Sequence, residues 1–418
     1  MTTVQLRRMA WLNPATPEFL STAEDVTFVP LEAVWPNGRA DFSRRADVAD
    51  VASGYTRFRA GDVLQPKVTP TFAHGRSTVA TIDTHVGAAS TEVHVLRAKS
   101  HACARYLAYV GQSRPFISEG MTRVEGVGNL LRVPPEFVAQ YRLPLMSRTE
   151  QEEIADFLDR ETAQIDAMIE ANEKMISALH ERLISEVTAR ILPQKGTSTS
   201  HKWFGNVAWE APKLWRHAKI TNGSTPKRER TDYWGGDFPW LNSSVVNLDS
   251  VAHADQFVTE TALAECHLPI VPAGSVLVGL TGQGRTRGKA TELHMTSTIN
   301  QHMAAVIPDP AFWVSRYLTL SLRSAYEELR RISDANGATK GALTCEALAA
   351  FRVPLPPLAE QRRLAVEADT ASSKTRNLVE SAMRVSVLLR ERREALITAA
   401  VSGRIDPTTG IERIEEAS

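Results

Sequence analysis

Two groups of cationic and amide side chains stand in or beside turn signals. Arg44, Arg45, Arg57, Lys67, His74 and Arg76 form the first. Lys227, Arg228, Arg230, Arg285, Arg287 and Lys289 form the second, with Tyr233, Asn242, Ser243 and Gln283 among them. Arg and Lys neutralise phosphates, Arg forks onto a guanine edge, and Asn or Gln pairs with an adenine edge. Singly, each is an ordinary solvated side chain. Gathered in the loops of two like-textured stretches, they are candidate contacts to DNA.

Residues for covalent or metal chemistry do not assemble in this way. The run GLTGQGRTRGK from Gly279 to Lys289 has the glycines of a phosphate loop. It misses the G-x-x-x-x-G-K-[ST] template, with Gln at 283 and Ala at 290, and reads as a glycine-bearing loop between strands. The eleven histidines are dispersed, and Cys103, Cys266 and Cys345 form no C-x-x-C pair. Pro308-Asp309 is not followed by Glu-x-Lys at nuclease spacing, and no Asp/Asn-Pro-Pro-aromatic tetrapeptide occurs. Glu152-Glu153 and Glu327-Glu328 lie in helical patterns as solvated faces. The expectation is a chain with no catalytic residue, cofactor site or metal site of its own.

The elements that position the cationic loops form a repeat. A chain of 418 residues is too long for one ordinary core. At an offset of 210, Leu143-Pro144-Leu145 meets Val353-Pro354-Leu355, Glu150-Gln151 meets Glu360-Gln361, Asp159 meets Asp369, and Glu181-Arg182 meets Glu391-Arg392. Gly61-Asp62-Val63-Leu64 meets Gly274-Ser275-Val276-Leu277 at 213. The expected division is residues 1–142 as one domain, 143–192 as a long helix, 193–352 as a second domain, 353–405 as a second helix, and 406–418 as a tail. Net charge is zero, yet residues 143–192 hold 5 Lys and Arg against 11 Asp and Glu, leaving both domains mildly basic. In the first domain, 26–34 is a strand-like run, 55–70 alternates and then breaks at Pro66 and Pro70 with a turn signal at Gly61-Asp62, and 80–82 and 93–96 are further apolar runs with β-branched residues. No apolar run approaches the length of a membrane span and the start lacks a signal-like segment, so a cytoplasmic protein is expected.

Both helices are well specified. Ser147-x-x-Glu150 fits a capping box, and Pro356-Pro357 suits a helix start. About 40 residues without Gly or Pro follow Ser147, roughly 60 Å of helix. Leu158, Ile165, Ile169, Ile176, Leu179 and Leu183 mark a narrow seam that Asn172 also occupies. The second helix offers Leu378, Ala382, Val385, Leu389 and Leu396, with Arg392 interrupting. Two narrow seams in one chain predict antiparallel pairing; the alternative is that each helix packs on its own domain.

These residues resemble the specificity subunit of Type I restriction-modification systems. The family's helices open with P-L-P-P-x-x-E-Q; VPLPPLAEQRRL keeps it nearly intact, and LPLMSRTEQEEIADFLDRETAQIDAMI keeps the E-Q core, departing at Met146-Ser147-Arg148. TNGSTPKRERTDYWGGDFPWLNSS resembles the G-x-T-P…G-x-x-P-W segment, STINQHMAAVIP the N-Q segment, and YTRFRAGDVLQPKVTPTF a further recognition-domain type. The resemblance implies an α+β fold with a pseudo-twofold repeat: two mixed α/β target-recognition domains separated by two long antiparallel coiled-coil helices. It implies a non-catalytic reader of a bipartite, asymmetric double-stranded DNA target. Its partners would be two modification (methyltransferase) subunits using S-adenosylmethionine and restriction subunits using ATP and Mg²⁺. A coiled-coil adaptor without a DNA role, an enzyme with an unrecognised site, and a modification-only specificity subunit are the alternatives.

Overall fold

A computed structural model describes residues 2–21, 25–126, 131–192, 199–282, 286–334 and 341–411. The chain falls into two units, Met1–Lys174 with Met383–Ser418, and Met175–Ala382. The division runs across both long helices rather than at their ends, so each unit owns one α/β domain and part of each helix. No helix among the described residues is long and apolar enough to cross a membrane.

In the first unit, strands Ala10–Leu12, Val93–Ala98, Val63–Pro66 and Thr78–Val79 lie side by side in that order, all antiparallel. In the second, Ala218–Asn222, Met303–Pro308, Val276–Gly279 and Ala290–Leu293 repeat the order, with Ser250–Val251 added at the edge. The repeat extends to register: Val63 faces Leu96 in one sheet and Val276 faces Val306 in the other. The connection between these central strands runs over 67–92 in the first unit and the shorter 280–302 in the second. That difference accounts for the drift of the offset from 213 to 210. Each unit also has a second sheet built on one parallel pair, Val26–Val29 with Val86–Ala89 and Trp240–Leu241 with Thr298–Ile299.

Two strand expectations are corrected. The run at 26–34 ends as a strand at Val29, because Pro30 has no N–H for the ladder and the chain turns into a 3-10 helix at Leu31–Ala33. The run at 80–82 is not a strand: Thr78–Val79 is. Ala80 instead exchanges backbone bonds with the Gly61-Asp62 turn.

The long helices span Arg148–Ile191 and Leu358–Val401, each 44 residues or about 66 Å. The capping box forms: Ser147 N donates to Glu150 Oε2 at 2.7 Å, and Glu150 N donates back to Ser147 Oγ at 3.3 Å. The first seam is as expected at Leu158, Ile165, Ile169 and Asn172, all buried, while Ile176, Leu179 and Leu183 are half-buried. The second seam is displaced by one residue over part of its length. Ala382 is buried and Leu389 and Leu396 half-buried, but Leu378 and Val385 are 45% and 44% exposed. Their places are taken by Val379 and Ser386, in a heptad series that continues through Ser372, Arg393 and Ala400. Arg392, read as interrupting the seam, lies outside it.

The helices pair antiparallel. In the first unit Asn172 Nδ2 donates to Ser386 Oγ at 2.7 Å, and Arg393 Nε meets Asp166 at 3.0 Å. In the second, Thr375 Oγ1 donates to Glu186 Oε2 at 2.8 Å. Each helix also packs on a domain: Ile154, Leu158, Ile397 and Val401 join the first core, and Val187, Ile191, Leu364 and Ala368 the second. Pairing with each other and packing on a domain therefore coexist.

Arg393 and Asp166 are only 8% and 14% exposed. Asp166→Ala leaves a buried guanidinium unpaired and is expected to cost about 3–5 kcal/mol in urea unfolding. Adding Arg393→Met should recover most of that loss.

Candidate nucleic-acid interface

Each domain is seated on its helix by one buried glutamine. Gln151 Oε1 accepts from the N–H of Cys103, the residue before helix Ala104–Gln112, at 2.9 Å, and its Nε2 donates to Met146 O at 3.0 Å. Gln361 Oε1 accepts from the N–H of Val314, the residue before helix Ser315–Ser324, at 2.8 Å, and its Nε2 donates to Phe312 O and Pro356 O at 2.8 Å each. A side-chain amide accepts at its oxygen and donates twice from its nitrogen, which suits this double role.

On the second domain, three segments that the sequence singled out meet at one place. A Cβ on Gly223 would lie 1.6 Å from Ile299 O, so only glycine lets this turn approach the strand Thr298–Ile299. Ser224 N donates to Ile299 O at 3.1 Å, and Trp240 Nε1 donates to Ser224 O at 3.1 Å. Thr225 Oγ1 donates to Gln301 Oε1 at 2.6 Å. The parallel pairing of Trp240 with Thr298 carries Asn242 and Ser243 onto the same edge. There Asn242 Oδ1 accepts from Ser244 N at 2.9 Å and caps the short turn Ser243–Asn247. His302 Nδ1 lies 2.9 Å from Thr281 Oγ1, which brings the start of the glycine-bearing loop alongside.

The cations beside this edge are ordered by aromatic rings. The Arg228 guanidinium lies 3.9 Å from the Trp234 ring centre and donates to Gln256 Oε1 at 2.7 Å. Arg230 lies over Tyr233 at 4.3 Å and forks onto Asp232. Tyr233 donates to Glu265 Oε2 at 2.6 Å; that carboxylate, with burial, pushes the phenol up to about 12. Lys227 is exposed, its carbonyl accepting from Trp234 Nε1 at 3.2 Å. Lys289 donates to Asn247 Oδ1 at 3.0 Å. Arg287 departs from the expected surface cation. It is 6% exposed and paired with Asp334 at 2.7 Å, an internal brace rather than a loop contact. Gln283 and Arg285 lie outside the described residues.

The first domain gathers its residues less. Arg44 is exposed, 3.6 Å from Glu32. Arg45 is held by Asp83 at 2.5 Å and Phe42 O at 2.9 Å. Arg57 donates to Ala52 O at 2.6 Å and lies over Phe19. Arg76 donates to Val34 O at 3.0 Å, and His74 bonds Pro70 O. Lys67 is half-buried, and with Arg132 it lowers the Glu92 carboxyl; the Arg132 hydrogen bond is the larger cause. Arg57 thus holds its own loop, while Arg45 and Arg76 tie theirs to the segments of Asp83 and Val34. Thr225, Gln256, Gln301 and His302 are not among the sequence-based candidate contacts, although the N-Q segment contains Gln301 and His302.

Fold and site together define a duplicated chain: two like α/β domains, each seated on a long helix, with the helices paired antiparallel. Residues 206–367 match the family described as the Type I restriction modification DNA specificity domain. The chain is similar to Type I restriction enzyme specificity subunits. It is 24% identical to the EcoR124I/EcoR124II specificity subunit of Escherichia coli over 258 residues, 60% of this chain and 58% of that one. It is 30% identical to the MjaIX specificity subunit of Methanocaldococcus jannaschii over 162 residues, 38% of this chain and 36% of that one. The matched stretches thus span under two thirds of these relatives' lengths. A solved chain from the type I R-M system shares the fold across 96% of this chain and 97% of its own, with a TM-score of 0.64 and 18% identity.

Gly223→Ala must push its turn off the strand, an overpacking cost of about 1–3 kcal/mol. Hydrogen exchange is expected to show lost protection at the Ser224 amide, with the first domain unchanged.

Proposed function

We propose that this chain is the DNA-reading subunit of a Type I restriction-modification complex and performs no chemistry itself. The observation that carries the reading is the duplication: two domains with one strand order, each fixed to a long helix by a glutamine at the same repeat position. The DNA specificity match over residues 206–367 supports the assignment of the second domain. Each domain would read one half of a bipartite, asymmetric target in double-stranded DNA. The helices would set the separation of the half-sites, a length of about 66 Å against roughly 34–36 Å per turn of B-DNA. They would also dock two methyltransferase subunits, which bind S-adenosylmethionine and modify adenine. Restriction subunits would supply ATP- and Mg²⁺-dependent cleavage. The complex would work in the cytoplasm, without a membrane.

Because the chain is neutral overall, attraction to phosphate has to come from local groups such as Lys227 and the ring-ordered arginines. Mobility-shift titrations of the assembled complex are expected to show sequence-selective binding that weakens steeply with salt. Lys227→Ala should weaken binding to all sequences alike and reduce the salt slope by about 1. Ile169→Asp, in the helix seam, should instead change complex mass by light scattering. Salt-independent binding, or none, would remove the reading.

A further inference from the structure

The segment that carries Asn242 and Ser243 descends through the turn Ser243–Asn247 to the edge strand Ser250–Val251, and Asp249 stands where it lands. Arginines converge on that residue. Arg323 donates to the Asp249 carboxylate and, through Nη2, to its backbone oxygen at 2.6 Å and that of Leu248 at 3.3 Å. Arg316 reaches the other carboxylate oxygen at 3.2 Å and Arg376 reaches it at 3.5 Å. Arg316 also forks onto Asp369 at 2.9 and 2.6 Å, and Arg376 reaches the same carboxylate at 3.0 Å. Asp369 and Arg376 belong to the second long helix, Arg316 and Arg323 to the helix Ser315–Ser324.

We propose that Asp249 is a positioning residue for base recognition: it fixes the height of the 242–247 segment and ties it, through Arg316 and Arg376, to the second long helix. The proposal rests on the DNA-reading function above. A base contact tolerates only a few tenths of an ångström in donor–acceptor distance, so a reading segment needs an anchor at both ends. Asn242 caps one end, and Asp249 holds the other. Forked arginine–carboxylate contacts fix orientation as well as distance. Burial alone would raise the Asp249 carboxyl, but Arg323, Arg316 and Arg376 outweigh it and hold the group below the ordinary aspartate range. The anchor is therefore charged at neutral pH. Neutralising it removes the charge on which Arg323, Arg316 and Arg376 converge, and the segment relaxes outward. Asp249 touches no base in this arrangement; it acts through Asn242 and Ser243.

The test is selection from a pool of random-sequence duplexes by the complex of this chain with its methyltransferase subunits. The wild-type chain should enrich two half-sites. Asp249→Asn should lower discrimination at one half-site by about tenfold or more, the contribution of one good base contact, and leave the other intact. Asp249→Glu, which keeps the charge, should restore most of it. Arg376→Gln, which cuts one of the two links to the long helix and leaves the Arg316–Asp369 fork in place, should give a smaller loss at the same half-site; it carries the test if Asp249→Asn unfolds the second domain. A uniform loss over both half-sites, or an unchanged profile in both variants, overturns the proposal. A wild-type complex that enriches no sequence overturns the DNA-reading function and this role with it. A two-part wild-type profile that the variants leave intact overturns the role alone.

Discussion

A buried side-chain amide, satisfied on both sides, is the constraint on which the rest of this structure depends. Gln151 and Gln361 are fully buried, and each accepts from the start of a domain helix while donating to the chain that leads into a long helix. A glutamate there would lose the donor and a leucine would lose both, leaving backbone groups unpaired in the interior. Because the same residue performs the same task in both units, each domain meets its long helix in the same local geometry. That geometry lets one domain design serve twice. The neighbouring carboxylates repeat the logic: Asp159 takes Arg105 and Tyr109, and Asp369 takes Arg316 and Arg376.

The helix pair is bound by a seam that is unusually polar. Asn172, Thr375, Ser386 and Arg393 are buried in it, as are Ile165 and Ile169. Polar seam residues cost stability relative to leucine, and they fix register, because a slip would leave each without its partner. In a chain whose helices are the proposed spacer, register matters more than strength. Packing of both helices on the domain cores supplies the apolar burial that the seam gives up.

That polarity also explains what was legible in the sequence and what was not. The two long helices, the capping box and the repeat could be read, since capping and period are local signals. The phase of the second seam could not be read from apolar content. Leu378 and Val385 outscore Ser372 and Ser386 in hydrophobicity, yet the serines are inside. The repeat itself held the answer. Ile169 and Ile176 carried forward by 210 land on Val379 and Ser386, not on Leu378 and Val385. Strand positions failed where proline or a backbone exchange with a turn overrode β-branched composition, as at Pro30 and Ala80.

For the candidate interface, the sequence located the loops but not the duties of their cations. Arginine serves a phosphate, a ring face or a buried carboxylate with one guanidinium, and neighbours in sequence do not say which. Arg287 is internal because Asp334, far away in the chain, comes to meet it. Arg228 is held outward because Trp234 offers it a ring face. The glycine at 223 is a clearer signal, since a missing Cβ at a polar turn marks where another strand passes close, and here that strand brings Gln301. A reader of such chains should therefore weigh a cation by the acids and rings that the fold delivers to it. On that measure the second domain presents one ordered edge, and Arg45, Arg57 and Arg76 of the first domain are committed to partners within that domain.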